Sequence, residues 1–295
     1  MHSRRVNTLQ LIRIQYWIDW LARGFADGRW NSRFLGRGFE FQGIAPYSDD
    51  PDLVRLNWPA TIASGELQVS QFSEERNIHL YLLGSMSPSM AFGSITSTKL
   101  DRLALLSAVL AFSAFKTKDH FHYLGYTKDI EKGFPEPRDS SYPLLLAQSI
   151  MKFDWRGKQS GGLKKAAFSI PSRRSLVILI SDFLENNEET EFALKILAPH
   201  HEVIPIVLWD EREVTLPGKN WSLYPFQDLQ TGELSYVFLT PKKRKLFEEN
   251  SRLRREHLRK LFHRFGLEPH FMIGGTSVSD LETLMKIFLT RRNNL

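Results

Sequence analysis

Apolar residues along the chain change rhythm as it proceeds. Over residues 6–25 they recur at Leu9, Ile12, Tyr16, Trp20 and Leu21, the spacing of an amphipathic helix, and Gly24 and Gly28 weaken its end. Residues 34–47 are rich in glycine and aromatics and alternate at Phe39-Glu40-Phe41, which predicts extended structure ending in a polar turn at 48–52. Residues 66–72 alternate through Leu67, Val69 and Gln71, as a half-exposed strand does. From residue 78 short apolar runs replace alternation. Residues 78–83, 121–126, 175–180, 203–209 and 269–273 read as buried strands. Between them, residues 99–115 are apolar almost all round, and 142–153, 163–168 and 188–197 also read as helices.

Strands that alternate with helices of this length predict an α/β fold with a mostly parallel sheet and helices on both faces. Residues 225–237 carry Thr231-Gly232 between strand-like flanks, which predicts a hairpin. Residues 242–265 form a long amphipathic helix with its apolar face at Leu246, Leu253, His257, Leu261 and Phe265. Ser277 and Ser279 open a last helix, with Glu282 placed to close a capping box on Ser279. No Pro/Ser-rich linker cuts the chain. The expected organisation is one α/β domain over residues 74–295, with residues 1–73 as an N-terminal extension packed against it.

Composition narrows the chemistry. The chain has 295 residues and no cysteine, so a disulfide framework, a zinc–thiolate site and a cysteine nucleophile are excluded. Lys and Arg number 39 against 33 Asp and Glu, a net charge of +6 that permits an acidic partner without demanding one. Residues 242–264 hold ten Lys/Arg and three Glu. No stretch approaches the ~18 consecutive apolar residues of a membrane span, so a cytoplasmic protein is expected.

Ligands of open parallel sheets bind beyond the carboxyl ends of the strands. Three such ends are Gly84-Ser85-Met86-Ser87-Pro88-Ser89-Met90, Ser181-Asp182-Phe183 and Asp210-Glu211-Arg212-Glu213. The hydroxyls of Ser85, Ser87 and Ser89 with the Asp182 carboxylate would make an oxygen-rich cluster. A single carboxylate gives a hard cation such as Mg²⁺ little charge to bind. The same serines would equally serve as helix caps and loop hydrogen bonders. Ser160-Gly161-Gly162 before Lys164 and Lys165 is a weak phosphate-loop pattern. His120 and His122, and the pair His200-His201, read as structural histidines. Asp49, Asp50 and Asp52 lack the glycine and closing glutamate of a calcium loop and read as a solvated turn. Motifs of serine hydrolases, P-loops and zinc proteases are missing from the sequence.

A set of motifs runs from about residue 33 to 235. It comprises Gly36-Arg37-Gly38-Phe39-Glu40-Phe41, Tyr47, Asp49-Asp50, Arg55, Trp58, Gly65-Glu66 and Phe72-x-Glu74-Glu75-Arg76. It continues with Ser87-x-Ser89-Met90, Phe92-Gly93, Lys99-Leu100, Ser181-Asp182-Phe183 and His200-His201-Glu202-Val203. It ends with Asp210-x-x-Glu213, Leu216-Pro217 and Thr231-Gly232-Glu233. Together these resemble the von Willebrand factor A-like proteins encoded beside MoxR-type AAA+ ATPases, the domain of unknown function number fifty-eight.

The resemblance implies a Rossmann-like von Willebrand factor A fold and a metal-ion-dependent adhesion site. In that site an Asp-x-Ser-x-Ser loop, a Thr and a second Asp hold Mg²⁺, and a partner's carboxylate completes the shell. It further implies a binding module that works with a MoxR-type AAA+ ATPase in assembling or activating protein complexes, not an enzyme. Ser87, Ser89 and Asp182 match the motif positions. Ser85 stands where Asp is usual, Ser160 is the nearest counterpart of the Thr, Asn57 replaces an Asp, and Ala63 replaces an Arg. Either Mg²⁺ binds weakly with a partner carboxylate fixing it, or the site is vestigial and Ser85, Ser87, Ser89, Ser160 and Asp182 meet a partner by shape and hydrogen bonds. The alternative function is nucleic-acid binding by the basic helix at 242–264. A metal-dependent hydrolase would need a base beside its metal-bound water, and Asp182, the one candidate, would already be a ligand.

Overall fold

The structure is a computed structural model and describes residues 8–26, 40–46, 58–73, 78–94, 97–134, 139–184, 187–218, 221–227 and 233–292. The chain begins with α1 (Thr8–Ala26), β1 (Glu40–Pro46), α2 (Trp58–Ser64) and β2 (Gln68–Ser73). It continues through β3 (His79–Ser85), a 3₁₀ turn at Pro88–Ala91, α3 (Lys99–Lys116), β4 (His120–Tyr126) and β5 (Ile130–Phe134). Next come α4 (Tyr142–Met151), α5 (Leu163–Phe168), β6 (Leu176–Ser181), α6 (Asn187–Leu197), β7 (Glu202–Trp209) and α7 (Glu211–Val214). The hairpin β8 (Ser222–Gln227) and β9 (Leu234–Leu239), α8 (Pro241–His263), β10 (His270–Ile273) and α9 (Val278–Arg292) complete it.

The central sheet has the order β10-β7-β6-β3-β4-β5. Its neighbours are parallel except β4 and β5, which pair antiparallel. Side chains alternate between two cores, because successive residues of a strand point to opposite faces. Leu80, Leu82, Ile178, Ile180, Ile206 and Leu208 join α1, α3, α4 and α9 in one core. Tyr81, Leu83, Val177, Leu179 and Val207 join α5, α6 and α8 in the other. The strands are therefore apolar on both faces, and this is why the sequence shows continuous runs there instead of alternation. The mixed α/β architecture with a mostly parallel sheet agrees with the sequence expectation.

Several details differ from that expectation. Helix α1 lies where expected but buries Ile14, Trp17, Ile18 and Leu21, while Ile12 and Tyr16 are exposed. Both stripes have helical spacing and both carry tryptophan, isoleucine and leucine; the packing of α1 on α3 and α4 selects the buried one. In α8 the buried positions are Ser251, Leu258, Leu261 and Phe262, whereas Leu246 and Leu253 are exposed. The capping box of α9 is closed two residues earlier than expected, at Ser277 and Asp280 instead of Ser279 and Glu282. The Ser277 hydroxyl accepts from the Asp280 amide at 3.2 Å, and the Asp280 carboxylate accepts from the Ser277 amide at 2.8 Å. Strand β5 and helix α2 carry no strong sequence pattern and were not expected. Antiparallel β8 and β9 form the expected hairpin, whose Thr231-Gly232 turn lies outside the described residues. Also outside them are Gly36–Phe39, Tyr47, Asp49, Asp50, Asp52, Arg55, Asn57 and residues 74–76 of the family-like motifs.

Candidate functional site at the switch point of the sheet

The chain leaves β3 through α3 to β4 on one side and later lays β6 along the other side of β3. The carboxyl ends of β3 and β6 therefore form the topological switch point, the usual ligand crevice of such sheets. Gly84 pairs with Ile180, so Ser85 and Ser181 end the two strands at the same level. The serine loop and Asp182 are thus brought to one edge, as the sequence predicts.

The serines satisfy one another. Ser85 Oγ donates to Ser87 Oγ at 3.1 Å, and Ser87 Oγ and Ser89 Oγ share a hydrogen bond of 2.9 Å. Ser85 and Ser87 are buried, and Ser89 is half-buried at the lip. Ser87 occupies the N-cap of the 3₁₀ turn, yet its side chain makes no capping bond. Its hydroxyl is committed to the serine chain instead.

Asp182 has a different partner. Lys99 Nζ, on the first residue of α3, donates to Asp182 Oδ2 at 2.7 Å and to Glu213 Oε1 at 2.5 Å. Lys99 is 1% exposed, Asp182 0% and Glu213 20%. The other Asp182 oxygen accepts from the Leu184 amide at 3.2 Å, and the Asp182 carbonyl accepts from the Trp209 indole at 2.9 Å. Phe183 follows with φ of 47°, a left-handed conformation that costs a non-glycine residue about 1–3 kcal/mol and clusters at functional sites. Bonds hold it there: its amide donates to Ser181 Oγ at 3.0 Å, and its carbonyl accepts from Arg254 at 3.1 Å.

Arg102, one turn after Lys99, donates to the carbonyls of Trp209 and Met272, each at 2.9 Å, and so ties α3 to the ends of β7 and β10. Burial lowers its pKa to about 10, against the opposing pull of Asp280, Asp210 and Glu213. Asp210 caps α7 and accepts from the Ser94 amide at 2.9 Å and from the Ser94 hydroxyl. Burial pushes the Asp210 carboxyl up, but these bonds, the Arg212 amide and Lys99 together hold it below the usual range. Burial pushes the Glu213 carboxyl above its ordinary value. Lys99 opposes this, and the charge of Asp182 adds to it, since two carboxylates share one ammonium. Burial also lowers the Arg254 pKa, against Asp182 and Glu213. A cleft of about 160 Å³ opens beside this cluster between the strand ends and α8, with Leu184, Trp209, Glu213, Phe247 and Arg254 on its walls.

These donors do not fit a divalent cation. Both oxygens of Asp182 are engaged, the serine hydroxyls bond to each other, and an ammonium already sits between the two carboxylates. Among the described residues no cluster of three or more His, Asp or Glu side chains is arranged to hold a metal. Lys99, Arg102, Arg254 and Glu213 are the members of this site to which sequence reasoning gave no role. Signals were present: Lys99 and Glu213 stand in the family-like motifs, and Lys99 and Arg102 lie on a helix that is apolar almost all round, while charged residues are almost never fully buried unless paired.

The remaining candidates lie elsewhere. Ser160 precedes α5 at the same edge of the sheet, where Gly162 presses so close to the turn after β4 that an added Cβ would stand 2.4 Å from the Thr127 carbonyl oxygen. Among the described residues no hydrogen bond joins Ser160 to the serine chain or to Asp182. His79, His120, His122 and Tyr81 stack as a ladder across β3 and β4. His200 and His201 meet edge to face before β7. In α8, Arg244 donates to the carbonyls of Leu216, Pro217 and Gly218, and Arg264 pairs with Glu191. Among the described residues no helix is long and apolar enough to cross a membrane.

Comparison with known proteins places the chain in a wider group. Uncharacterised proteins of Mycobacterium tuberculosis and Mycobacterium bovis are each 24% identical to the chain over 200 residues, 66% of its length. The chain spans 62% of the length of these curated relatives. Among solved structures, an aerotolerance-related membrane protein from Bacteroides fragilis matches 74% of this chain and all of that one, with 12% identity and a TM-score of 0.43. Proximal thread matrix protein 1 from the mussel byssus matches 73% of this chain and 47% of its own, with 14% identity and a TM-score of 0.38. The family described as "Protein of unknown function DUF58" matches residues 45–257, most of the chain and all of the switch-point edge, and the chain belongs to that family.

Proposed function

We propose that the chain is a non-enzymatic protein-binding module of the von Willebrand factor A type, that its switch-point edge is the partner face, and that the partner is a MoxR-type AAA+ ATPase acting in assembly or activation of protein complexes. The strand order, with one antiparallel edge strand and a switch point beside β3, suits that fold. The observation that carries the reading is the bridge from Lys99 to Asp182 and Glu213. An acid–base catalyst needs a group poised to take or give a proton, and a serine nucleophile needs a base within hydrogen-bond reach. Here both carboxylates are tied to an ammonium, and the three hydroxyls bond among themselves. A fixed edge with a half-buried lip and a cleft sized for one side chain favours recognition over turnover.

The test is direct binding of the purified MoxR-type ATPase of the same genome to immobilised wild-type chain and to Ser89→Arg. The substitution places a bulky charge at the lip; it removes the Ser89 bond to Ser87 and leaves the Lys99–Asp182–Glu213 bridge in place. Binding weakened by tenfold or more, about 1.4 kcal/mol, is the expected result. Equal binding by a folded Ser89→Arg variant rejects this face.

A further inference from the structure

We infer that Lys99 is the resident cation of the switch-point edge, so that its ammonium fills the place in the charge balance that a divalent ion would otherwise need. The inference rests on the geometry of the edge alone and stands whether or not a partner binds there. Its distances, 2.7 Å to Asp182 and 2.5 Å to Glu213, are those of charge-assisted hydrogen bonds. The backbone anchors the lysine as well. The Lys99 amide donates to the Phe92 carbonyl at 2.9 Å, and the Thr98–Asp101 capping box fixes the helix start on which it sits. A cation at a helix N-terminus opposes the helix dipole, so this position is unfavourable unless acceptors compensate it. Asp182 and Glu213 are those acceptors.

The charge balance carries the argument further. Arg102 and Arg254 stand in electrostatic contact with Glu213, Arg254 also with Asp182, Asp210 with Lys99, and Asp280 with Arg102. Lys99, Arg102 and Arg254 thus face Asp182, Asp210, Glu213 and Asp280, and Lys99 already serves both Asp182 and Glu213. A divalent ion added here would set two more positive charges beside Lys99 and Arg102, which are both buried. Burying charge without partners is the most expensive arrangement a protein interior can adopt. The cation would also need several inward-facing oxygen ligands, and each Asp182 oxygen already accepts a hydrogen bond, one of them from the Lys99 ammonium. Ser85 fits the same balance: a second carboxylate at that position would need a further positive charge, and a hydroxyl does not.

Melting temperatures with millimolar Mn²⁺, millimolar Mg²⁺ or a chelator test this on the wild type and on Lys99→Ala, in the full chain. Lys99→Ala leaves Asp182 and Glu213 facing the space the side chain vacates. The wild type is expected to stay unchanged under all three conditions. Mn²⁺ is expected to raise the melting temperature of Lys99→Ala by about 5 °C through binding to the folded state alone. A Mn²⁺-dependent rise in the wild type that disappears in Asp182→Asn overturns the inference, as does a folded Lys99→Ala that the ion leaves unmoved. Should Lys99→Ala not fold, electron paramagnetic resonance of wild type with Mn²⁺ decides alone. No bound ion is the expected result, and Asp182-dependent binding overturns it.

Discussion

At the scale of residues, the edge is governed by what burial does to charge. Lys99 is almost wholly buried, so its two carboxylates are structural necessities. Removing one partner of a buried pair strands the other, at a cost of about 3–5 kcal/mol. Lys99→Met should lose stability on that scale, read as the shift in the urea unfolding midpoint. Glu213 behaves differently, because its folded-state pKa is raised by burial despite Lys99. The folded chain therefore binds that proton more tightly than the unfolded chain. The stability this contributes is fully present below the unfolded-state pKa and is lost as pH rises through the folded value. Glu213→Gln should remove this decline, so the gap between wild-type and variant stability should change across the acid range and then level off. Identical pH profiles would show that Glu213 is not the group responsible. Of these residues, Ser85, Ser87, Ser89 and Asp182 were legible from spacing, because strand ends collect ligands. The lysine bridge was not, because its partners lie 83 and 114 residues further along the chain.

Elements set those residues at the edge, and their ends decide how firmly. The last helix begins with the Ser277–Asp280 box. Ser277→Ala should cost about 1 kcal/mol, the usual value of an N-cap, while Ser279→Ala should stay within about 0.5 kcal/mol. Equal losses would return the cap to Ser279 and Glu282. The loop before α5 is held by close approach. Gly162→Ala would press its methyl group against the Thr127 carbonyl oxygen, 2.4 Å away, and a backbone oxygen cannot turn aside. That substitution should lower stability by about 1–3 kcal/mol, the range for overpacking, measured by chemical unfolding. Helix positions were legible in the sequence wherever an apolar period ran for several turns. Buried faces were less so. In α1 and α8 more than one stripe fits the period, and only the neighbouring elements select between them, α3 and α4 in the case of α1. The charge on α8 and its C-cap is also divided, since Arg244, Arg254 and Arg264 bind this chain's own carbonyls and carboxylates.

For the whole molecule, the alternation of strands and helices already implies a parallel sheet between two helical layers. The β5 edge escaped because Ile130-Glu131-Lys132-Gly133-Phe134 neither runs apolar nor alternates cleanly. Its antiparallel pairing comes from the tight turn after β4, in which the Thr127 amide donates to the Asp129 carbonyl at 2.9 Å. Among the described residues the topology leaves a single switch point, at β3 and β6, and the buried charges Lys99 and Asp182 meet there. If that edge is the partner face, the proof is spatial. Hydrogen exchange of the full chain, measured with and without the MoxR-type ATPase, locates the contact without any substitution. Slowed exchange in residues 85–92, 182–184 and 211–216 is the result the account predicts. Slowed exchange confined to the hairpin and α8, with the switch-point loops unchanged, would contradict it.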